Sequence, residues 1–354
     1  MSTDLSLVSK YRAQLMGIAA IFIVLCHTTF YFGGKVQSLY GVYVNQLMQC
    51  GVDIFLLLSG LGCYFSYAKN PSVKHFYKKR LIRIAVPFII FLLFYFVVDC
   101  LLLHNSIENF FMKYSVITFF TNGVLATWFV AAILLIYLFF PLIFKIINKN
   151  ISIFFICIAI NVVLVLLPFW KGLPEPLPVI REIFLCRIPV FFVGTWIGKR
   201  VFEKRCGFTN NKITIYLFVI LIISLIAFTL NVLANLLNVI NPITFDKWTI
   251  SRLLFLPLSF SLTVLLSGFF NKIGIEKTKF NRILLFLGSI SFELYLFFER
   301  VLSIVSQNMS TLKILSHFPS TVNQAIFNLV AIGCTVLLAY LLSRISKKIS
   351  SFLI

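Results

Sequence analysis

Apolar runs of about twenty residues, hardly broken by charge, recur along this chain, and a helix of that length just crosses the roughly 30 Å of hydrocarbon in a bilayer. In lipid each backbone polar group must be satisfied within its own helix or within a closed barrel. The runs are continuous rather than alternating with period two, which selects helices. Only 12% of the residues are charged and the mean hydropathy is +1.00, too little polarity to coat a water-facing surface when a soluble domain carries about twice that charged share. The expected fold is all-α, a bundle of about ten transmembrane helices near 12–31, 42–67, 81–103, 124–144, 151–169, 180–198, 213–237, 249–270, 283–306 and 323–343. The shorter, mixed segment 107–120 reads as interfacial, and the proline-rich 170–180 as an outer loop. The first run lacks a small-residue cleavage site, so it reads as a retained helix rather than a signal peptide.

Charge orients the bundle. An even number of helices with the N-terminus inside puts about 22 of the 31 Lys and Arg in the cytoplasm, as positive-inside sorting requires. They come in blocks, such as Lys69 to Arg83, Lys199 to Arg205, Lys272 to Arg282, and Arg344 with Lys347 and Lys348. Both termini are thus expected in the cytoplasm, with 104–123 and 308–321 outside. The net charge of +20 reads as topology plus attraction to anionic membrane lipids, not as a nucleic-acid signature. The cysteines are scattered without metal-ligand spacing, and no phosphate loop, dinucleotide fingerprint or metal motif is present. The chain 1–354 reads as one membrane domain.

Ionisable side chains inside lipid are costly and therefore functional candidates. Here they are His27, Asp53, Asp99, Arg187, Glu293, Glu299 and Arg300. His27 lies fifteen residues beyond Arg12, roughly 22 Å along the helix and in the outer half of the membrane. Imidazole is well suited to accept and return a proton near neutral pH; a histidine simply hydrogen-bonded within the bundle is the alternative. Counted from Arg282 along a straight ninth helix, Glu299 lies at a similar depth, about 25 Å in. A carboxylate there would orient the imidazole and raise its basicity, unless it pairs with Arg300 or lines the outer headgroups instead. Arg80 and Arg83 are three apart, so both can project from one helix face, and paired guanidinium groups suit phosphates. Lys78 and Lys79 beside them read as a plain orientation anchor.

These residues lie in motifs that resemble one known family. GIAAIFIVLCH at 17–27, GVDIFLLLSG at 51–60, KKRLIRIAVP at 78–87, TWFVAAILL at 127–135, RIPVFFVGTWIGK at 187–199 and LGSISFELYLFFE at 287–299 look like the integral-membrane acyltransferase 3 family. Each is degenerate apolar sequence alone; six in order are specific. That family transfers acyl groups, commonly acetyl, onto hydroxyls of extracytoplasmic glycans and related acceptors.

The resemblance implies a membrane O-acyltransferase with His27 as the catalytic residue and Arg80 and Arg83 as contacts for acyl-CoA, acetyl-CoA above all, used as donor substrate rather than held as a bound cofactor. Trp128, Arg187 and Ser291 with Tyr295 match further recurrent positions. Two positions depart from the pattern. Many members carry a basic residue where this chain has Met16, and Arg12, one turn earlier, is the candidate replacement. Many also carry a histidine where this chain has Phe298, which shifts weight onto Glu299. The chain also carries no hydrolase-like extension of the kind some members have. The implied partners are membrane lipids, acyl-CoA and a glycan or lipid-linked acceptor; the implied location is the cell membrane. The competing function is a transporter or flippase for a lipid-linked or polysaccharide intermediate, since intramembrane charges fit transport as well as catalysis. Against it, no pair of Gly/Pro-interrupted spans recurs in matching halves. A purely structural or sensor protein would leave His27 and the arginine pair without a task.

Overall fold

A computed structural model describes residues 4–31, 39–102, 104–167, 170, 172–205, 211–237, 248–309 and 320–353. Residues 310–319, most of the expected outer loop 308–321, lie outside them. Among the described residues there is no strand. The helices are α1 (Leu5–Lys10), α2 (Arg12–Tyr31), α3 (Leu39–Met48), α4 (Cys50–Lys69), α5 (Val73–Phe96), α6 (Ile107–Tyr114), α7 (Thr118–Asn122) and α8 (Trp128–Lys149). They continue as α9 (Ile151–Leu166), α10 (Leu177–Ile183), α11 (Ile188–Phe202), α12 (Asn211–Leu236), α13 (Thr249–Ile273), α14 (Lys279–Ser289), α15 (Ser291–Met309) and α16 (Ser320–Leu353).

Among the described residues, six helical stretches are long and apolar enough to cross a bilayer: Gly41–Lys69, Val73–Leu101, Leu125–Lys149, Lys212–Leu236, Thr249–Ile273 and Ala325–Leu353. α14 and α15 make a seventh if counted as one broken span, while α9 and the stretch Arg12–Thr28 of α2 are apolar but shorter. The protein is a multi-pass helical membrane protein, and ten crossings are more than these stretches alone supply. The expected straight helix over 283–306 is instead broken at Ile290, where α14 and α15 meet at 76°. Depth counted along it from Arg282 therefore does not hold. The expected interfacial segment 107–120 becomes α6 and α7, and α10 begins within the proline-rich stretch.

Small residues set the central packing. Side chains added at Gly60 or Gly194 would strike the backbone of the facing helix, at Phe191 and Leu57 respectively, so α4 and α11 touch main chain to main chain. Gly17 and Gly288 do the same for α2 and α14, against Leu284 and Ala13. With lipid outside there is no hydrophobic force between helices, and this close approach is what holds them together. At the cationic end α1 is tied down by Lys10 to Glu276 at 3.0 Å and by the Tyr11 hydroxyl, which donates to Glu276 at 2.7 Å. Backbone hydrogen bonding, with Tyr11 and Lys10, pulls the Glu276 carboxyl down to about 2. Tyr11 packs edge-on against Phe270, and in this way the start of α2 is fixed beside α13 and α14.

Candidate active site

The apolar bundle encloses a cavity of about 470 Å³ with cations at its mouth. Arg12 comes from the first turn of α2, Lys79, Arg80 and Arg83 from α5, and Lys347 from the last turns of α16. Glu293 is the carboxylate of the lining, and Arg83 and Lys347 act on it electrostatically. Ser59, Ser289, Ser291, Ser350 and Ser351 add hydroxyls. Five cations against one carboxylate make a strongly positive, partly dry enclosure, which is where charge is felt most.

The three arginines are held in different ways. Arg80 is 7% exposed; its Nη2 donates to the Gly62 carbonyl at 2.7 Å, and its guanidinium lies over the rings of Phe76 and Tyr137, 5.6 Å from each. Its buried Nε has no partner. Arg12 donates from Nε to the Leu58 carbonyl at 3.1 Å and rests its guanidinium where a side chain on Gly62 would stand. Arg83 is exposed at the mouth. None of the ion pairs among the described residues involves Arg12, Arg80 or Arg83. Backbone carbonyls aim Arg12 and Arg80, and aromatic faces Arg80, without neutralising them, so their charge, like that of Arg83, remains for a ligand.

The deep end of the cavity is aromatic and apolar, lined by Ile23, Phe55, Trp128, Phe129, Ile133 and Tyr295. The Tyr295 hydroxyl accepts from the Phe129 backbone N–H at 3.2 Å. Trp128 has Arg187 stacked on it at 5.1 Å, and Arg187 pairs with Asp53 at 3.4 Å, both side chains nearly or wholly buried. Arg187 also donates to the Ile183 carbonyl at 2.6 Å. Asp53 and Arg187 therefore stand behind the cavity wall.

His27 does not line the cavity. It is half-buried beyond the deep end, its ring 5.9 Å from that of Phe298. Glu299 is exposed and within electrostatic reach of His27, but the two side chains are not hydrogen-bonded to each other. Arg300 stacks on Tyr114 at 4.9 Å and makes no ion pair with Glu299, while nearby Lys113 pairs with Asp99 at 3.8 Å.

Of the expected residues, then, Arg12, Arg80, Arg83, Trp128 and Tyr295 share one cavity. Asp53 and Arg187 buttress it, and His27 and Glu299 lie past its end. The sequence alone gives Lys347 only an orienting role and Ser346, Ser350 and Ser351 none, because the block around Lys347 has the character of a positive-inside anchor. The polar stripe Ser343, Ser346, Lys347 and Ser350 recurs at helical spacing, a signal that this end of α16 faces something other than lipid. Among the described residues, no three His, Cys, Asp or Glu side chains group in a way that would hold a metal ion.

Residues 15–351 match the acyltransferase 3 family, described as an acyltransferase domain. The chain belongs to the acyltransferase 3 family. The match covers almost the whole protein, and His27, Arg80, Arg83 and every cavity-lining residue except Arg12 lie within the acyltransferase domain. No curated protein and no solved structure shows a match to it. Within this acyltransferase a further cavity, between α8, α9 and α11, is lined by apolar residues alone and Cys157.

Proposed function

We propose that this acyltransferase moves an acyl group, acetyl in the first instance, from cytoplasmic acyl-CoA to a hydroxyl of an extracytoplasmic glycan or related acceptor at the cell membrane. The observation that carries the reading is the cavity itself, with cations at one end and an apolar end that stops one packed layer short of His27. The pyrophosphate and 3′-phosphate of a CoA thioester would sit among Arg12, Lys79, Arg80, Arg83 and Lys347. Guanidinium groups left unneutralised suit such anions, each charge-assisted hydrogen bond being worth about 1.5–3 kcal/mol. The pantetheine arm would follow the apolar walls toward Tyr295, bringing the thioester close to His27.

The acceptor would enter from the side on which Glu299 is exposed. As its hydroxyl oxygen bonds to the thioester carbonyl carbon, His27 takes the hydroxyl proton. Collapse of the tetrahedral intermediate breaks the C–S bond, and the proton passes from His27 to the departing sulfur. The products are an ester and free CoA thiol, and the histidine returns neutral. Glu299, near but not hydrogen-bonded to His27, acts as an electrostatic partner of the imidazolium that forms.

The transport reading keeps one observation in its favour: the break between α14 and α15 places Ser289 and Ser291 on the cavity, and broken helices mark many transporter sites. One experiment separates the two. Membranes carrying the protein are given acetyl-labelled acetyl-CoA and cell-surface glycan, and label in the glycan is measured against protein level. The wild type should transfer label, and His27→Gln should lower the rate about 10²–10⁴-fold with membrane level unchanged. Normal transfer by His27→Gln would end the proposed mechanism, and label that never leaves CoA while glycan still crosses the membrane would favour transport.

A further inference from the structure

Between the cavity and His27 lies a second, much smaller void of about 10 Å³. It shares Ile23, Phe55, Ser291 and Tyr295 with the cavity and is closed by Ala20, Val24, Leu294 and Phe298. Phe298 touches both sides, since its ring also lies beside His27. Resting on the donor reading above, we propose that this void is the acyl pocket and that Leu294, Phe298 and Ile23 select the acyl group by length, admitting two carbons and excluding longer chains.

A donor with its phosphates at the cationic mouth and its arm along the apolar wall ends at Ile23 and Tyr295. Whatever extends past the thioester then enters the void. Its volume is about that of a single water-sized probe, room for a methyl group and not for a propyl chain. The walls have little room to yield. Ala20 and Leu294 are each 3% exposed and Phe298 is 2% exposed, and Tyr295 is pinned by the Phe129 N–H. Packed interiors resist added methylenes because they must move side chains off their rotamers. One methylene in such a pocket changes rates by about 10–200-fold. Phe298, the departure from the family's usual histidine, thus gains a task of its own: it forms one wall of the pocket.

The test compares transfer from acetyl-, propionyl- and butyryl-CoA by the full chain in lipid nanodiscs, with CoA binding measured on the same samples. Wild type should use acetyl at least about tenfold faster than propionyl, with butyryl slower still. Leu294→Ala and, separately, the more conservative Phe298→Leu should raise the propionyl-to-acetyl ratio about tenfold with CoA affinity unchanged. Ala20→Val should depress acetyl transfer while CoA still binds. Equal rates for the three donors in the wild type overturn length selection and leave the acyltransferase reading standing, as does an unaltered ratio in both enlarging variants. Absence of transfer from every donor overturns that reading and this one with it.

Discussion

Two groups of arginines gather in this bundle, and they are handled in opposite ways. At the cationic end, Arg12, Arg80 and Arg83 surround a cavity; Arg12 and Arg80 are met by carbonyls, Arg80 also by aromatic rings, and Arg83 is exposed at the mouth. Toward the other end, at the starts of α11 and α13, Arg187 is paired with Asp53 and Arg252 with Glu182 at 3.5 Å. The boundary between the two groups is Trp128, which lines the cavity on one face and carries Arg187 on the other. A buried charge that already has its counter-ion serves the architecture; one left without a counter-ion beside an opening keeps its charge for something that arrives. Residue type alone does not distinguish them. The partner does.

The sharpest way to break this contrast is to remove one member of the outer pair. Leaving a charge buried and uncompensated typically costs about 3–5 kcal/mol, so Asp53→Ala should strongly reduce the folded fraction and the melting temperature in detergent. Replacing both members by apolar residues of similar volume, Asp53→Leu with Arg187→Met, should recover most of that loss. Thermal unfolding followed by intrinsic fluorescence makes the comparison. An Asp53→Ala protein that melts normally but transfers nothing would place the outer pair in the site, and the distinction would fail.

The inner group should respond the other way. Arg83→Ala removes an exposed cation with no ion pair, so melting should stay put while affinity for acyl-CoA falls about ten- to a hundredfold, the loss of one charge-assisted hydrogen bond. Lys79 shares the cavity whereas Lys78 does not border it, so Lys79→Ala should weaken binding and Lys78→Ala should not. Arg80→Ala should affect both binding and melting, because its guanidinium also holds the Gly62 carbonyl and two rings. Equilibrium binding of acetyl-CoA to the four purified variants settles the order. Equal, small effects at all four positions would reduce the cluster to an orientation anchor.

How far the sequence anticipated these features follows from how local each one is. Membrane class and helical content were legible because hydropathy is a property of continuous segments. The shared face of Arg80 and Arg83 was legible because three-residue spacing on a helix is local geometry. The break at Ile290 was not, since LFLGSISFELYLFF at 285–298 is apolar on both sides of the bend. Depth counted along a straight helix fails for that reason, although Glu299 still lies within electrostatic reach of His27. The Asp53–Arg187 pair joins α4 to the start of α11, and no local pattern marks which carboxylate a distant arginine will meet. The gap between the cavity and His27 was equally hidden, because a void of about 10 Å³ depends on the packing of three helices.

Lys347 offers the smallest and most selective test of the same contrast. It and Lys348 are adjacent, both exposed and both within the block first read as orientation, yet the cavity is lined by Lys347 and not by Lys348. As successive helical residues they point about 100° apart, so only one can face a given ligand. Any orienting effect on topology depends on charge near the membrane and should be shared by both. A contact with bound phosphate should belong to Lys347 alone. Being exposed, it is well screened, and its contribution should be at the upper end of surface pairs, about 1 kcal/mol or roughly fivefold in affinity. Lys347→Ala should therefore weaken acetyl-CoA binding about fivefold, Lys348→Ala by less than about twofold, and the difference should shrink at high salt as the charges are screened. Equal losses from the two variants would return Lys347 to the orientation block, and the inner site would then end at α5 without a contribution from α16.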